Sequence, residues 1–263
     1  MSRSRQPLAQ LRASLSDRNL AIARTVAELR FITARQLQVL HFDGDHSTPL
    51  TAARTCRRVL ERLAELGVLR RLDRVIGGVR AGSGSFVYSL GPSGHRLLAD
   101  GRERHGFREP SLTFLDHTLA VSGLLATVIA ASKTDSCQLM RYEVEPACWR
   151  TIPGYASDTL RPDLLLVVAR GEMEWHWFIE VDLGSEHRPA LTRKCRDYLR
   201  YYQSGCEQGE RGIFPKVVWL TTTSARAEQL RNICNEVSPD LPLFEVGLLG
   251  TPLPTLLPDE EQP

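Results

Sequence analysis

Two short apolar runs, separated by polar turn residues, constrain the fold of this chain more than any other feature. Residues 164–168 read LLLVV and residues 175–179 read WHWFI, and the turn between them contains Arg170-Gly171-Glu172. Apolar runs of this length, bounded by turn residues, are typical of buried strands. The pair therefore predicts a β-hairpin.

The segments around this hairpin alternate between strand and helix patterns. A long, strongly apolar and therefore buried helix is predicted for residues 111–132, and a strand for 138–144. After the hairpin we expect a helix at 189–203, a strand at 217–220, a helix at 225–237 and a strand at 244–249. Helices that alternate with strands beside a hairpin indicate a mixed sheet flanked by helices. The fold class is therefore α/β, or α+β for the chain as a whole.

The first part of the chain has a different pattern, of three helices followed by a hairpin. A helix is predicted for residues 19–31, a second begins at the capping box Thr33-Ala34-Arg35-Gln36, and a third begins at Thr48-Pro49. Strands at 68–72 and 86–90 flank a loop rich in glycine and serine. This order is that of a winged helix-turn-helix domain.

The third helix and the loop carry the residues that we predict to contact double-stranded DNA. The early, polar face of the helix and the tip of the wing supply Thr51, Arg54, Thr55, Arg57, Arg58, Arg74 and Arg80. The helix would lie in the major groove, and the arginines of the wing would reach the backbone or the minor groove. The alternative is a winged helix that contacts another protein.

Charge is divided unevenly along the chain. Residues 1–108 hold 19 arginines, no lysine and 9 acidic residues, for a net charge of +10, whereas residues 109–263 hold 14 basic and 22 acidic residues, for a net charge of −8. The codon bias of a GC-rich genome would explain 30 arginines against 3 lysines, but not the position of the excess charge. A polyanion-binding module fused to a second domain would show this division.

Composition and charge together suggest three segments and a cellular location. We expect a DNA-binding domain at residues 18–108, a second domain at 109–250 and a disordered, proline-rich, acidic tail at 251–263. The scattered cysteines form no CxxC pair, which argues against a zinc site or a disulfide framework. Without a signal-like or membrane-spanning apolar run, the protein is expected to be cytoplasmic, with no membrane partner.

Three acidic residues mark the ends of the predicted hairpin strands. Asp163 precedes the first strand, and Glu180 and Asp182 close the second, where an i, i+2 spacing places both on one face. A hairpin can bring Asp163 close to both of them. Carboxylate oxygens are the ligands that Mg²⁺ prefers, so the trio is a candidate site for Mg²⁺ or Mn²⁺.

The residues around these acids resemble a known superfamily. Arg161-Pro162-Asp163, followed after about 17 residues by Phe178-Ile179-Glu180-Val181-Asp182-Leu183-Gly184, looks like the motif of PD-(D/E)xK nucleases, whose fold is a restriction-endonuclease-like mixed sheet. More narrowly, residues 18–235 resemble the replication-relaxation proteins of plasmids and integrative elements. These proteins pair a winged helix with an RPD…ExD core and a later helix with a lysine and tyrosines, here Lys194, Tyr198, Tyr201 and Tyr202.

The resemblance implies a role in plasmid replication or conjugative mobilisation, with Asp163, Glu180, Asp182 and Lys194 as catalytic candidates. The superfamily usually has lysine two residues after the glutamate, where this chain has Asp182. Two accounts follow from this departure: Lys194 supplies the positive charge from the next helix, or the site does not cut DNA. The three tyrosines are spaced to pack one helix face on the sheet.

Three hypotheses about function therefore stand at this point. The first is a metal-dependent endonuclease or nickase. The second is a non-catalytic DNA-binding protein whose nuclease-like domain dimerises or recruits a relaxase or replication protein, and the third is a transcriptional repressor that senses a ligand. A homodimer is expected, because winged-helix proteins often form two-fold dimers.

Overall fold

The structure is a computed structural model that describes residues 7–44, 48–76, 85–98, 109–134, 137–152 and 159–258, and for 73–76 only the backbone. The chain divides into two compact units, Met1–Ala126 and Thr127–Pro263. Helices occur in both units and the larger sheet is mixed, which confirms the predicted α/β class. The predicted boundary at residues 108 and 109 adjoins a segment outside the described residues and stays a prediction.

The first unit combines helices with a three-stranded antiparallel sheet of order β1-β3-β2. Its elements are α1 (Leu8–Ala13), α2 (Asp17–Leu29), β1 (Ile32–Thr33), α3 (Ala34–His41), α4 (Pro49–Glu65), β2 (Leu69–Ile76), β3 (Ser85–Leu90), α5 (Pro92–Leu98) and the first part of α6 (Leu112–Lys133). The three predicted helices correspond to α2, α3 and α4, and the predicted hairpin to β2 and β3. The tip of that hairpin, which includes Arg80, lies outside the described residues.

Side-chain caps fix where these helices begin. The Thr33 hydroxyl accepts a hydrogen bond from the Gln36 amide, and the Gln36 side chain accepts one from the Thr33 amide, so the predicted capping box is present. Thr48 caps α4 by accepting from the amide of Thr51, and Pro49 occupies the first helical position. These local hydrogen bonds set the start of α4 and so the direction in which its side chains point.

Helix α4 buries one face and leaves the other in solvent. Its buried residues are Ala52, Cys56, Leu60 and Leu63, at the spacing of one helical stripe. Burying a leucine in this way contributes about 1.5–3 kcal/mol. The polar residues between them therefore lie on an exposed face.

Helix α6 is the most apolar element. Within the part of the chain that the structure describes, it alone is long and apolar enough to cross a membrane by length and composition, and half of its most apolar stretch is buried in the protein. Core helices of soluble proteins meet the same criterion.

The second unit is built on a five-stranded mixed sheet of order β10-β9-β8-β7-β4. Its elements after α6 are β4 (Gln138–Val144), β5 (Arg150–Thr151), β6 (Thr159–Leu160), β7 (Leu164–Arg170), β8 (Met173–Asp182), α7 (Arg188–Ser204), α8 (Cys206–Arg211), β9 (Lys216–Thr221), α9 (Ser224–Val237), β10 (Phe244–Leu248) and α10 (Leu253–Leu256). Strands β4, β7 and β8 are antiparallel neighbours, whereas β8, β9 and β10 run parallel.

One apolar core joins this sheet to the helices α7 and α9. Phe178 on β8 and Trp219 on β9 pack in the same buried cluster as Tyr198 on α7 and Leu230 on α9. The predicted hairpin is thereby the centre of the sheet, and α7 lies where its inner face can reach polar side chains on β8.

The end of the chain differs from the expected disordered tail. Helix α10 packs Leu256 into the interior, and the Trp177 indole nitrogen donates to the Leu256 carbonyl oxygen at 3.0 Å. Arg170 donates to the carbonyl oxygens of Leu257 and Pro258. Apolar leucines between the prolines give residues 251–258 this ordered position, and 259–263 lie outside the described residues.

Candidate functional site

The predicted DNA-contacting residues of α4 lie on its solvent face. Thr51, Arg54, Arg57 and Arg58 are exposed, and Thr55 is half-buried. Among the described residues, no carboxylate forms an ion pair with Arg54, Arg57 or Arg58. The side chain of Arg74 and the whole of Arg80 fall outside what the structure describes.

One exposed arginine of the hairpin was not among the DNA-contacting residues predicted from the sequence. Arg71 on β2 is exposed, and its guanidinium lies 4.5 Å from the centre of the Phe86 ring on β3. Phe86 is itself 42% exposed. Only the pairing of β2 with β3 brings these two residues together, so no local sequence pattern indicates the contact.

In the second unit, three of the four predicted catalytic residues converge beneath α7. Glu180 on β8 is fully buried, and the ammonium nitrogen of Lys194 lies 2.5 Å from its Oε2. The hydroxyl of Tyr198 donates to its Oε1 at 2.6 Å. Lys194 and Tyr198 are four residues apart on α7, so side chains on successive turns of one helix contact the two oxygens of Glu180.

Asp163 is fixed beside this pair by the backbone of β8. Its Oδ2 accepts a hydrogen bond from the amide of Val181 at 2.7 Å, and its own amide donates to the carbonyl oxygen of Ile179 at 3.0 Å. Asp163 is 7% exposed. These two hydrogen bonds clamp Asp163 against the strand segment that carries Glu180.

Burial dominates the acid–base properties of this cluster. It raises the pKa of Glu180 to about 7, and the charge of Asp163 adds to the rise, while Lys194 and Tyr198 oppose it. Burial lowers the pKa of Lys194, but the charges of Glu180 and Asp163 outweigh it, so the pKa lies above its ordinary value. Burial, followed by the charge of Glu180, also raises the pKa of Tyr198. Lys194 therefore stays charged beside a carboxyl group that holds its proton unusually tightly.

The fourth predicted residue, Asp182, has other partners. Arg226 on α9 donates to it from Nε to Oδ2 at 2.5 Å and from Nη2 to Oδ1 at 3.1 Å. The Gly184 amide and the Thr221 hydroxyl also donate to its carboxylate. The pKa of Arg226 is raised, chiefly by its hydrogen bond to Asp182. Asp182 thus ties the end of β8 to α9.

This arrangement separates Asp182 from the cluster of Asp163, Glu180 and Lys194, and both oxygens of Glu180 are already engaged by Lys194 and Tyr198. Within the described residues, no three His, Cys, Asp or Glu side chains are grouped closely enough to hold a metal ion. The oxygens of Asp182 already accept hydrogen bonds from Arg226, Thr221 and Gly184. The expected Mg²⁺ or Mn²⁺ site, with all three acids as ligands, stays a prediction.

A second ionic cluster shows that buried charge in this unit also serves to join elements. Glu207 on α8 is fully buried and accepts from Arg150 Nε at 3.1 Å and from the Tyr201 hydroxyl at 2.6 Å. Arg150 also donates to Glu143 on β4. This network connects β4, β5, α7 and α8, and every partner of Glu207 among these residues is a hydrogen-bond donor. We interpret it as structural.

Sequence comparison gives one match. The family model described as replication-relaxation matches residues 24–217, which is well over half of the chain. No curated protein and no solved structure shows a significant match. The matched range includes α4, Asp163, Glu180 and Lys194, and it ends before Arg226.

Proposed function

The chain belongs to the replication-relaxation family, and on that basis we propose that it is a cytoplasmic DNA-binding protein that acts in the replication or conjugative mobilisation of a plasmid or integrative element. We propose further that its first unit is a winged-helix domain in which α4 enters the major groove of double-stranded DNA.

The observation that carries this proposal is the exposed arginine face of α4, for which no ion pair is found among the described residues. Arg54, Arg57 and Arg58 project from a helix whose opposite side is buried, and no described carboxylate neutralises them. The surrounding residues 1–108 have a net charge of +10. Exposed guanidinium groups on a helix suit phosphate and base contacts, because their planar forks bind two acceptors at once.

Neutralising this face tests the proposal. We expect the full chain with Arg54→Gln, Arg57→Gln and Arg58→Gln to bind a fluorescently labelled duplex roughly tenfold or more weakly than the unmodified protein, by anisotropy at fixed salt. The matched control carries Arg12→Gln, Arg24→Gln and Arg96→Gln. These three arginines lie on other helices of the same unit. An equal loss of affinity in both variants would show that only net charge matters and would refute the role of α4.

A second candidate function is metal-dependent nicking of DNA at Asp163, Glu180 and Lys194. It is favoured by the convergence of two acids and one lysine at the predicted catalytic positions, with Lys194 in place of the lysine that the nuclease motif has at position 182. A divalent ion held by Asp163 and Glu180 would polarise a phosphate and activate water. Lys194 would remain charged near the developing negative charge.

Supercoiled plasmid DNA distinguishes this candidate from a non-catalytic role. Nicking that requires Mg²⁺ or Mn²⁺, stops with EDTA and disappears in both Asp163→Ala and Glu180→Ala supports catalysis. Folded protein that binds the plasmid without nicking it would leave the cluster a structural role. The second unit would then serve a homodimer or the recruitment of a relaxase or replication protein.

A further inference from the structure

Helix α7 is strongly basic within the acidic half of the chain. It carries five basic residues and one acid, whereas residues 109–263 together have a net charge of −8. The basic residues are Arg188, Arg193, Lys194, Arg196 and Arg200, and the acid is Asp197. Solubility does not explain this concentration of positive charge on one helix, because a mixture of acidic and basic residues keeps a surface equally soluble.

Most arginines of the second unit already have partners. Eleven arginines lie in residues 127–263, and nine of them contact a carboxylate, a carbonyl oxygen or an aromatic ring: Arg141, Arg150, Arg161, Arg170, Arg188, Arg200, Arg211, Arg226 and Arg231. Within the described part of the chain, Arg193 and Arg196 have no such contact. Both are exposed. Among the described residues, these two arginines of the unit therefore contact no carboxylate, carbonyl oxygen or aromatic ring.

The helix places three of its four arginines on one side. Its buried residues are Leu191, Cys195, Tyr198 and Tyr201. At 100° per residue, Arg193, Arg196 and Arg200 fall on the opposite side, one above another. We call these three residues the α7 basic face.

This arrangement has an energetic cost in the free protein. Like charges three and four residues apart on a helix repel each other, and within the described residues Arg200 alone of the three has an ion pair, with Asp197 at 2.5 Å. The neighbouring helix α9 avoids this repulsion by combining two arginines with two glutamates. A polyanion bound along the α7 basic face would remove the repulsion.

We propose that the α7 basic face binds the phosphodiester backbone of double-stranded DNA, as a contact surface additional to α4. The choice of double-stranded DNA as the bound polyanion rests on the proposed function. The planar guanidinium fork matches a phosphate group, and such contacts hold the duplex without reading its sequence. The other side of the same helix presents Lys194 to Glu180, so a duplex held here runs along the helix that carries the predicted catalytic lysine.

The salt dependence of DNA binding by the full chain tests this inference. Each phosphate contact adds about 0.9 to the slope of log affinity against log salt concentration for duplex DNA. Arg193→Gln with Arg196→Gln is expected to make this slope shallower by about two and to weaken binding of an unrelated duplex as much as that of a plasmid-origin duplex. Arg200 is kept, so that Asp197 does not lose its partner.

The control removes the same charge elsewhere in the unit. Arg141→Gln with Arg231→Gln takes two exposed arginines from β4 and α9 and is expected to leave the slope unchanged. Thermal melting of all variants confirms that they are folded, which the exposure of all four side chains leads us to expect. An unchanged slope in the α7 variant, or an equal change in the control, would overturn the inference.

The α4 variant, measured in parallel, separates this inference from the proposed function. If the α4 substitutions weaken binding and the α7 substitutions do not, the inference fails and the proposed function stands. If only the α7 substitutions weaken binding, the role of α4 fails and the inference stands. If the unmodified protein binds no duplex even at low salt, both are refuted.

Discussion

At the scale of single residues, the pair Glu180 and Lys194 dominates the chemistry of the second unit. Glu180 was expected from the acid motif and Lys194 from the family resemblance, and the structure places their charged groups 2.5 Å apart. Tyr198 was expected only to pack on the sheet, yet it also donates to Glu180. Arg226 could not be predicted, because it lies 44 positions from Asp182 and no local pattern links them.

Removing Lys194 should destabilise the protein far more than removing an exposed lysine. Lys194→Met leaves the buried carboxylate of Glu180 without its counter-ion, and we expect a loss of about 3 kcal/mol in the free energy of unfolding. The control is Lys216→Met, whose partner Glu245 is exposed, and which should cost less than about 1 kcal/mol. Urea denaturation at a pH above 7, where Glu180 is ionised, measures both. Equal losses would contradict a buried ion pair.

The raised pKa of Glu180 predicts a specific dependence of stability on pH. Between its ordinary value of 4.5 and about 7, the folded protein holds a proton that the unfolded chain has lost, so stability falls as the pH rises through this interval. The slope from this group is at most about 1.4 kcal/mol per pH unit. Glu180→Gln removes the titrating group, so its unfolding free energy should lack this decline. If the unfolding free energies of the unmodified protein and the Glu180→Gln variant change with pH in the same way, the predicted contribution of Glu180 is ruled out.

At the scale of elements, the sequence predicts what local chemistry determines. The capping box at Thr33 and the Thr48-Pro49 start of α4 depend on neighbouring residues, and both are present as expected. Strand β1 depends instead on the pairing of Ile32 with Tyr88, far along the chain. The helix α8 and the β5–β6 pair were likewise not predicted. They depend on the hydrogen bond between Arg150 on β5 and Glu207 on α8, which joins distant segments of the chain.

The contact between β8 and α9 should behave as one energetic unit. Because Asp182 and Arg226 share two hydrogen bonds in a largely buried position, the single variants Asp182→Asn and Arg226→Gln should each lower stability. The double variant should lose less than the sum, with a coupling energy of roughly 1–3 kcal/mol. Thermal or urea denaturation of the three variants measures this coupling. Additive losses would mean that the pair is not coupled.

At the scale of the whole molecule, the chain combines a basic first half with an acidic second half in which the helix α7 carries the α7 basic face. The α4 arginines and the α7 basic face are the surfaces that we propose to contact DNA. The buried cluster of Asp163, Glu180 and Lys194 lies on the inner side of α7. The family assignment and the charge division could both be predicted from the sequence. The α7 basic face could be identified only from the structure, because it depends on which arginines of the unit already contact other groups.

Binding of the unmodified full chain to a labelled duplex, measured by anisotropy across a range of salt concentrations, tests the central claim that this is a DNA-binding protein. With at least three arginines of α4 in contact with phosphates, the slope of log affinity against log salt should be about −3 or steeper. Binding should also become roughly tenfold or more weaker, with a shallower slope, when Arg54, Arg57 and Arg58 are replaced by glutamine. No binding at low salt, or an affinity that does not change with salt, would contradict the account.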